Sequence, residues 1–442
     1  MTRLLWSIAL PAMLTNVATA LFGLADMWAI GRLGDASAQG GVELGAKFTM
    51  GLLNIFNFLR TSTIALTAQG IGRSGMKEQS VTLVRALATA LGIGVLLLCA
   101  MPLVIPAGLH LLHATGSLRS EAQAYVLVRY WASPMWLTNC VLVGWLIGQR
   151  QVRHVLAVEV SANLVHIALD LALVLGTGLG VKGVAYASLL SEAVRLLLLG
   201  AIVVRHPAAR DALERVRQRS TWHRHELARL FALNRDLFLR TLLLTGAMML
   251  FARTGAQSGP VTLAANAILF QLFMLASLLL DGFENAAQVL CGEAIGARSI
   301  VRFRRTVQLA LGWGAIMGLA LTLAYAVFGE HLAASFSTDP AVRMQSARTI
   351  GWVIALPMVG VASFVLDGVF IGAGWTRAMM ATMAAAMALF VTLLWLLQPL
   401  GNSGLWLAFL SLFIARAAGQ FLVLPRLVRR SFDNNAAQPE SR

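Results

Sequence analysis

The stretch AMMATMAAAMALFVTLLWLLQPLGNSGLWLAFLSLFIA, residues 378–415, contains no charged residue over 38 positions. A transmembrane helix needs about 20 predominantly apolar residues, so this stretch is long enough for two. Its middle, QPLGNSG at 398–404, combines proline, glycine, asparagine and serine, a composition typical of a turn. Residues 378–415 are therefore predicted to cross a membrane twice.

The composition of the whole chain extends this prediction. Of its 442 residues, 58% are hydrophobic and 12% are charged, whereas soluble domains carry about 25% charged residues. The formal net charge is +15, which in a soluble protein would favour nucleic-acid binding. So few charged side chains cannot form a solvated nucleic-acid surface. We expect an all-α polytopic membrane protein that is surrounded by the lipid bilayer and has no nucleic-acid partner.

Apolar stretches that are free of charge or poor in it divide the chain into twelve predicted transmembrane helices. Their approximate ranges are 8–31, 41–70, 86–108, 122–147, 155–175, 183–204, 230–252, 260–290, 306–328, 347–372, 378–397 and 404–424. The first range is too long for the apolar core of a signal peptide and lacks a small-residue cleavage site. It is therefore predicted to be the first span.

Lysine and arginine are distributed unevenly between the two sides of this arrangement. If the N-terminus lies inside the cell, 22 of the 35 basic residues fall in cytoplasmic segments and six in outer loops. Cytoplasmic loops are enriched in Lys and Arg. With an even number of spans, both termini are predicted to be cytoplasmic.

The two halves of the chain resemble each other at a nearly constant offset. GWLIGQRQVR, which begins at Gly144, recurs as the segment around Gly368, 224 residues later, and Pro134 recurs as Pro357. Each half has an even number of spans, so the halves share one orientation, as in the parallel repeats of secondary transporters. The predicted domains are an N-terminal six-helix lobe (1–205), a basic cytoplasmic linker (206–229), a C-terminal six-helix lobe (230–425) and a cytoplasmic tail (426–442).

Ionisable side chains inside the spans are candidates for function, because each costs about 2.5–3.5 kcal/mol near the bilayer centre. Asp26 lies 15 residues after Pro11 in the first span. Proline can kink a helix, so a bend at Pro11 is predicted to change the surroundings of Asp26. A bend that dries the site would favour proton uptake by the carboxyl. The alternative is that Asp26 only caps or hydrogen-bonds a neighbouring helix.

Three polar residues of the fifth span, Asn163, His166 and Asp170, lie roughly on one helix face. Such a stripe in an apolar helix is predicted to face a cavity or a partner helix. His166 could titrate or could be a hydrogen-bonded packing residue. Ser188 in the sixth span would lie near this group if the two spans pack closely.

The second half has its own candidates. At the cytoplasmic end of the seventh span, Asp236 and Arg240 form either a gating ion pair or a snorkelling arginine beside an anchoring carboxylate. Asp281, Glu284 and Asp367 are candidates for cation binding, and the alternative is a structural polar contact between helices.

Other chemistries lack their signatures. The chain has no phosphate-binding GxxxxGK[ST] loop, no HExxH and no GxSxG. Cys99, Cys140 and Cys291 form no CxxC pair and are expected to be small buried side chains. We expect no enzyme activity, no bound metal and no cofactor other than a coupling ion.

Several short segments, taken in order, resemble the multidrug and toxic compound extrusion (MATE) family, specifically its DinF-like branch. The resemblance covers about residues 5–425. It is carried by IALPAMLTN, LADMWAIGRLGD, FLRTSTIALTAQGIGR, NLVHIALDLALVLGTGLGVKGVAYAS, NRDLFLRT, DGFENAAQVLCGEAIGAR and LDGVFIGAGWTR. It implies two six-helix bundles that form a V, open alternately outward and inward, and drive export by H⁺ or Na⁺ entry in a bacterial cytoplasmic (inner) membrane.

The resemblance also implies roles for particular residues. Pro11 matches the proline at which the first helix bends, Asp26 and Asp170 match the carboxylates of the N-lobe cavity, and Ser188 matches a hydroxyl position usually held by Thr. His166 stands where Asn is usual, which favours a proton-dependent network over a Na⁺ site.

The leading functional hypothesis is a monomeric antiporter that exports amphipathic, cationic small molecules in exchange for H⁺ or Na⁺. A flippase for a lipid-linked precursor is the first alternative, although its cavity should be strongly cationic to receive phosphates. A polytopic membrane enzyme is the second, and it would require clustered catalytic residues at a membrane surface.

Overall fold

The computed structural model describes residues 1–31 and 35–433, with the side chains of all but 20–29, 31, 36, 175 and 229. These residues form fifteen α-helices and no β-strand. The helices are α1 Thr2–Gly31, α2 Ala36–Asn54, α3 Phe58–Gly72, α4 Met76–Leu111, α5 Gly116–Tyr130, α6 Ser133–Gly148, α7 Val152–Asp170, α8 Gly180–Val204, α9 Pro207–Arg215, α10 Arg224–Gln257, α11 Pro260–Gly296, α12 Ile300–Ser335, α13 Pro340–Ala373, α14 Thr376–Leu396 and α15 Gly401–Asp433.

Every one of the twelve predicted spans falls on a helix or on two successive helices. Within the described residues, nine helices are long and apolar enough to cross a membrane, and α6 is a shorter apolar helix. The prediction of an all-α polytopic membrane protein is confirmed.

Two predicted spans are interrupted. The second consists of α2 and α3, joined by a 3₁₀ turn at Ile55–Asn57. The fourth breaks after Tyr130, and α6 then begins with Pro134 in its first turn. Proline has no backbone N–H and is tolerated in a first turn, where no intrahelical partner is required. An apolar run therefore predicted the span but not the break within it.

The predicted linker 206–229 is partly helical. It contains α9, a 3₁₀ turn at Arg219–Trp222 and the first turns of α10. Pro207 occupies the first turn of α9, and Nδ1 of His206 accepts a hydrogen bond from the Ala208 N–H at 3.3 Å. α10 begins at Arg224, so the predicted seventh span, 230–252, lies within it.

One cysteine departs from its prediction. Cys140 and Cys291 are buried, but Cys99 is exposed on α4. An apolar stretch in a membrane protein has a lipid-facing side as well as an inner side, so apolar surroundings in sequence did not imply burial.

The internal repeat is visible in how glycines pack. A side chain at Gly144 would clash with the backbone carbonyl of Arg60, and one at Gly368 with that of Glu284. Both members of the second pair lie 224 residues after those of the first. Gly148 against Ile64 and Gly372 against Gln288 repeat the same relationship at the same offset. The two halves thus use equivalent positions to bring helix backbones together.

The described chain forms two compact units. One, called here the N-unit, consists of Leu14–Thr67 and Gly75–Phe231; the other, the C-unit, consists of Met1–Met13, Ala68–Ser74 and the described part of Ala232–Arg442. The N-terminal turns of α1 and the C-terminal end of α3 therefore belong to the C-unit. The predicted domains, two lobes with a linker at 206–229 and a tail after 425, stay a prediction.

Candidate functional site

The polar stripe of α7 faces α8 within the N-unit. His166 and Asp170 are buried, with 0% and 1% of their surfaces exposed. Nε2 of His166 lies 3.0 Å from Oδ2 of Asp170. Asn163, one turn before His166, donates a hydrogen bond from Nδ2 to the carbonyl of Ala18 at 3.0 Å. Asn163 thus joins α7 to α1, and His166 and Asp170 bring an imidazole and a carboxyl together further along the same face.

The hydroxyl that reaches His166 is that of Ser191. Its Oγ lies 3.2 Å from Nδ1 of His166 and donates to the backbone carbonyl of Ser188 at 2.9 Å. Ser188 itself is buried one turn earlier on α8. α7 and α8 are in contact here, which is the condition on which Ser188 was placed near this group, and the spacing i, i+3 from Ser188 could have pointed to Ser191.

Asp170 is the last residue of α7 and precedes a change in helix geometry. Leu171–Gly176 form a π-helix, and α8 begins four residues later at Gly180. A π-helical segment shifts the register of the side chains that follow it, so Asp170 ends the regular stripe of α7.

The first helix is continuous through its proline. Pro11 is buried inside α1, which runs from Thr2 to Gly31. Asp26 belongs to α1 by its backbone, but its side chain lies outside the described residues.

A second polar group lies in the N-unit, on the same two helices. Glu159 of α7 and Glu192 of α8 both pair with Arg195: Nη2 of Arg195 lies 2.8 Å from Oε2 of Glu159, and Nη1 donates to Oε1 of Glu192 at 3.2 Å. Arg129 approaches Glu192 at 3.5 Å, and Nδ2 of Asn139 donates to Oε2 of Glu192 at 2.9 Å. These five residues, the Arg195 cluster, connect α5, α6, α7 and α8.

Arg129, Glu159, Glu192 and Arg195 lie inside predicted spans and were candidates as ionisable side chains, but no member of the Arg195 cluster was among the residues to which a site role was given. Its members on α7 and α8 nevertheless continue the spacing of those that were, because Glu159 lies one turn before Asn163 and Glu192 one turn after Ser188. Extending each polar stripe by one turn along the same face would have grouped them with the predicted site residues.

In the C-unit, two arginines converge on one carboxylate. Arg240 of α10 and Arg416 of α15 both donate from Nη2 to Oδ2 of Asp367 on α13. Nε2 of Gln420 donates to Oδ1 of the same residue at 2.7 Å. Asp367 is therefore neutralised by guanidinium groups of the protein itself, and two of the predicted residues, Arg240 and Asp367, are in contact.

The remaining second-half candidates divide into two groups. Asp281 and Glu284, both half-buried on α11, interact electrostatically with Arg240. Asp236 lies apart from them: it is buried, pairs with the neighbouring Arg235 at 2.9 Å and accepts a hydrogen bond at 3.4 Å from Thr376 in the first turn of α14. A carboxylate at a helix N-terminus is favoured by the helix dipole.

Among the described residues, no group of three or more His, Cys, Asp or Glu side chains is arranged to hold a metal ion. The charged groups of both units form ion pairs within an apolar surround.

A family model described as MatE matches residues 11–172 and again 237–396, which together make up more than half of the chain. The chain belongs to the MatE family. The model matches each half once, in agreement with the internal repeat. The resemblance to this family predicted from short segments is confirmed.

Curated relatives agree with this family membership. The DNA damage-inducible protein F of Escherichia coli K12 is 35% identical over 413 residues, covering 93% of this chain and 89% of that protein. The human multidrug and toxin extrusion protein 1 is 25% identical over 351 residues, covering 76% of this chain and 58% of that protein.

Solved structures share the fold. A MATE crystal structure in the bent conformation matches with a TM-score of 0.87 at 18% identity, covering 98% of this chain and 97% of that one. An outward-facing multidrug resistance MATE family transporter matches with a TM-score of 0.86 at 20% identity, covering 96% of both chains.

Members of the MatE family are transporters, so the chain is a multi-pass membrane transporter and not an enzyme. The alternative of a polytopic membrane enzyme is set aside on that ground.

Proposed function

We propose that this MatE-family transporter exports amphipathic, cationic small molecules by antiport with H⁺, through alternating access. Relatives named for multidrug and toxin extrusion support the cargo class. Asp26 and Asp170 would hold the coupling proton in one state and leave their carboxylates available to a cationic substrate in the other. The same carboxylates argue against a flippase for a phosphate-bearing lipid, which requires a cationic cavity.

The contact between His166 and Asp170 carries this proposal. Nε2 of His166 and Oδ2 of Asp170 lie 3.0 Å apart, close enough for one proton to pass between the imidazole and the carboxyl. A change in the charge of a nearby residue, or entry of water, would change which of the two groups holds the proton. A buried imidazole beside a carboxyl in an apolar helix is an arrangement suited to binding and releasing H⁺.

Sodium is the alternative coupling ion. A hard cation such as Na⁺ is held by several oxygen ligands, whereas Oδ2 of Asp170 faces the imidazole nitrogen of His166. His166 stands where the family usually has Asn, so an imidazole that exchanges protons replaces an amide oxygen that could bind Na⁺. This substitution favours H⁺ over Na⁺.

The membrane potential can drive export in exchange for H⁺. One proton that enters down a membrane potential contributes about 2.3 kcal/mol per 100 mV. Bending of α1 at Pro11 would change the hydration of the site between the two states.

We further propose that the transporter acts as a monomer in the bacterial inner membrane with both termini in the cytoplasm. The excess of basic residues in the segments assigned to the cytoplasm supports this orientation. Cysteine labelling from either side of a spheroplast membrane, at single cysteines introduced near residue 3 and in the loop at 337–339, would test it.

Proteoliposome efflux of several cationic dyes, under separately imposed H⁺ and Na⁺ gradients, tests the coupling. Wild type should respond to the H⁺ gradient alone, whereas Asp170→Asn and Asp26→Asn should lose at least about tenfold of the gradient-driven rate, a lower bound set below the roughly 10²–10⁴-fold effects of positioned proton-transfer groups. Asp211→Asn is the matched control, because Asp211 forms its ion pair with Arg215 on α9, outside the spans. Transport by the wild type that ignores both gradients would refute the proposal, and a response to Na⁺ alone would transfer it to that ion.

A further inference from the structure

A line of polar residues, spaced by three or four positions, leads away from Asp170 along the interface of α7 and α8. On α7 it runs through His166 and Asn163 to Glu159, eleven residues earlier, a distance of about 16 Å along the helix axis. This is about half the thickness of a bilayer's hydrocarbon core. Glu159 lies seven residues after the start of α7 at Val152, so the line points toward the membrane face at which α7 begins.

The facing side of α8 carries a matching line. Ser188, Ser191, Glu192 and Arg195 are spaced by three or four residues and so share one face. Ser191 contacts His166 at 3.2 Å, and Arg195 contacts Glu159 at 2.8 Å. The two stripes therefore meet at both ends of the line.

The fold does not need this polar interface. Positions 224 residues after Glu159, Asn163, His166 and Asp170 are Met383, Met387, Phe390 and Leu394, all on α14. The equivalent helix of the second repeat is thus apolar at all four places, and Met383 and Phe390 are buried. Since the repeat packs with apolar side chains there, the polar line on α7 has a role other than packing.

The two carboxylates of the Arg195 cluster are held unequally. Glu192 is contacted by Arg195, Arg129 and Asn139. Among the described residues, Glu159 forms an ion pair with Arg195 alone, and Arg60 of α3 also acts on this carboxylate electrostatically. Protonation of Glu192 would therefore break three contacts, whereas protonation of Glu159 would break one.

The cluster also retains hydrogen-bonding capacity. Nε of Arg195, Nη1 of Arg129 and Oδ1 of Asn139 are buried and have no hydrogen-bond partner among the described residues. Buried polar atoms of this kind are usually satisfied by ordered water. Water bound at these atoms would connect the serine and histidine at one end of the line with Glu159 at the other.

We propose that Glu159 is the proton-release carboxylate of the N-unit, which receives the proton from the His166–Asp170 pair along the α7–α8 interface and passes it to water. This rests on the proposed H⁺ antiport. The proton leaves the pair through Ser191 and bound water and adds to the Glu159 carboxylate, which separates from Arg195. It then passes to water at the membrane face, and the ion pair with Arg195 forms again. Arg195 stays protonated throughout and acts as a positioning residue.

The test separates proton movement from the conformational cycle. Exchange of labelled for unlabelled substrate across a proteoliposome membrane, at equal pH on both sides, needs alternating access but no net proton release. Glu159→Gln is expected to keep exchange within about twofold of wild type and to lose at least about tenfold of H⁺-gradient-driven net transport. Glu159→Asp, which restores a carboxylate, should recover part of the loss.

Glu214→Gln, an exposed glutamate of α9, is the matched control and should change neither rate. Undiminished net transport by Glu159→Gln in a system where wild type is H⁺-driven would overturn this inference alone. Loss of both exchange and net transport would also overturn it, because Glu159 would then serve the conformational cycle. Wild-type transport that ignores the H⁺ gradient would instead refute the underlying antiport.

Discussion

Asp367 of α13 and Arg416 of α15 form an ion pair in which 1% and 3% of the two side chains are exposed. The pair is joined by Arg240, which is 17% exposed, and by Gln420. Two helices that are distant in the chain are thus held to α13 through a single carboxylate. Such pairs are costly to bury and still more costly to break, because the remaining charge has no compensation.

Replacing Asp367 with Asn is therefore expected to destabilise the C-unit by about 3–5 kcal/mol, as Arg240 and Arg416 would keep their charges in a buried setting. Thermal unfolding of the purified protein in detergent measures the change. Asp339→Asn is the control: Asp339 caps α13 by accepting from the Ala341 N–H at 2.8 Å, and Asn caps helices as well as Asp does. Equal unfolding temperatures for the two variants would contradict this account.

Gly372→Ala should weaken the contact between α11 and α13, because the added Cβ would meet the backbone carbonyl of Gln288. Backbone atoms cannot move aside as a flexible side chain can, so a cost of about 1–3 kcal/mol is expected. Gly351→Ala lies on the same helix with no atom within 4 Å of the new Cβ. It should be neutral or slightly stabilising, since Ala is the better helix former. Thermal unfolding compares the two, and a harmless Gly372→Ala would refute the close approach.

Asn266 of α11 and Asn402 of α15 exchange hydrogen bonds through their amides, at 2.7 and 3.0 Å. Oδ1 of Asn266 also accepts from Nε1 of Trp406 at 2.9 Å. Asn266→Leu would leave the buried Trp406 N–H without this acceptor, at a cost of about 1–3 kcal/mol. Asn402→Ala keeps the bond to Trp406 and should cost less. Unfolding temperatures and tryptophan emission would compare the two variants. A larger destabilisation by Asn402→Ala than by Asn266→Leu would contradict the hydrogen bond between Asn266 and Trp406.

The capping of α9 should depend on pH through His206. Burial against Trp145, whose ring centroid lies 4.9 Å away, lowers the pKa of His206 below its usual value of 6.5. The neutral ring is the form that accepts from the Ala208 N–H. Because the pKa is lower in the folded state, the stabilisation is complete above about pH 6.5 and is lost as the pH falls through the folded-state value.

Amide hydrogen exchange of α9, corrected for intrinsic rates, should therefore accelerate between neutral pH and about pH 5 in wild type. His206→Asn supplies a cap that does not titrate in this range and should remove the dependence. Protection of α9 that is independent of pH in wild type would show that another group caps the helix.

The repeat relates positions whose chemistry has diverged. Arg60 and Glu284 lie at equivalent places, each beneath a packing glycine, yet they carry opposite charges. Arg195 in GVAYASLLSEAVR and Arg416 in GLWLAFLSLFIAR correspond at an offset of 221 residues, but Arg195 pairs with carboxylates of α7 and α8 and Arg416 with one of α13. The backbone arrangement is shared while the electrostatics are not, which is consistent with different roles for the two units.

Much of the architecture followed from local features of the sequence. The apolar runs predicted the twelve spans, and the recurring glycines and prolines predicted the repeat, because burial in lipid and close helix approach each require particular residue types at fixed spacings. The 3.6-residue period likewise placed Asn163, His166 and Asp170 on one face. These properties belong to single helices and can be deduced from one helix at a time.

The partners of the charged residues were decided only by the tertiary structure. Whether Ser188 or Ser191 meets His166, and whether Arg416 pairs with Asp367, depends on the rotation and crossing angle of neighbouring helices. Those quantities are set by side-chain packing along the whole interface, and the backbone contacts at Gly368 and Gly372 fix them for α11 and α13. Span length and polar helix faces are properties of single segments and could be predicted from the residues alone, whereas the pairing of the charges depends on how the helices pack.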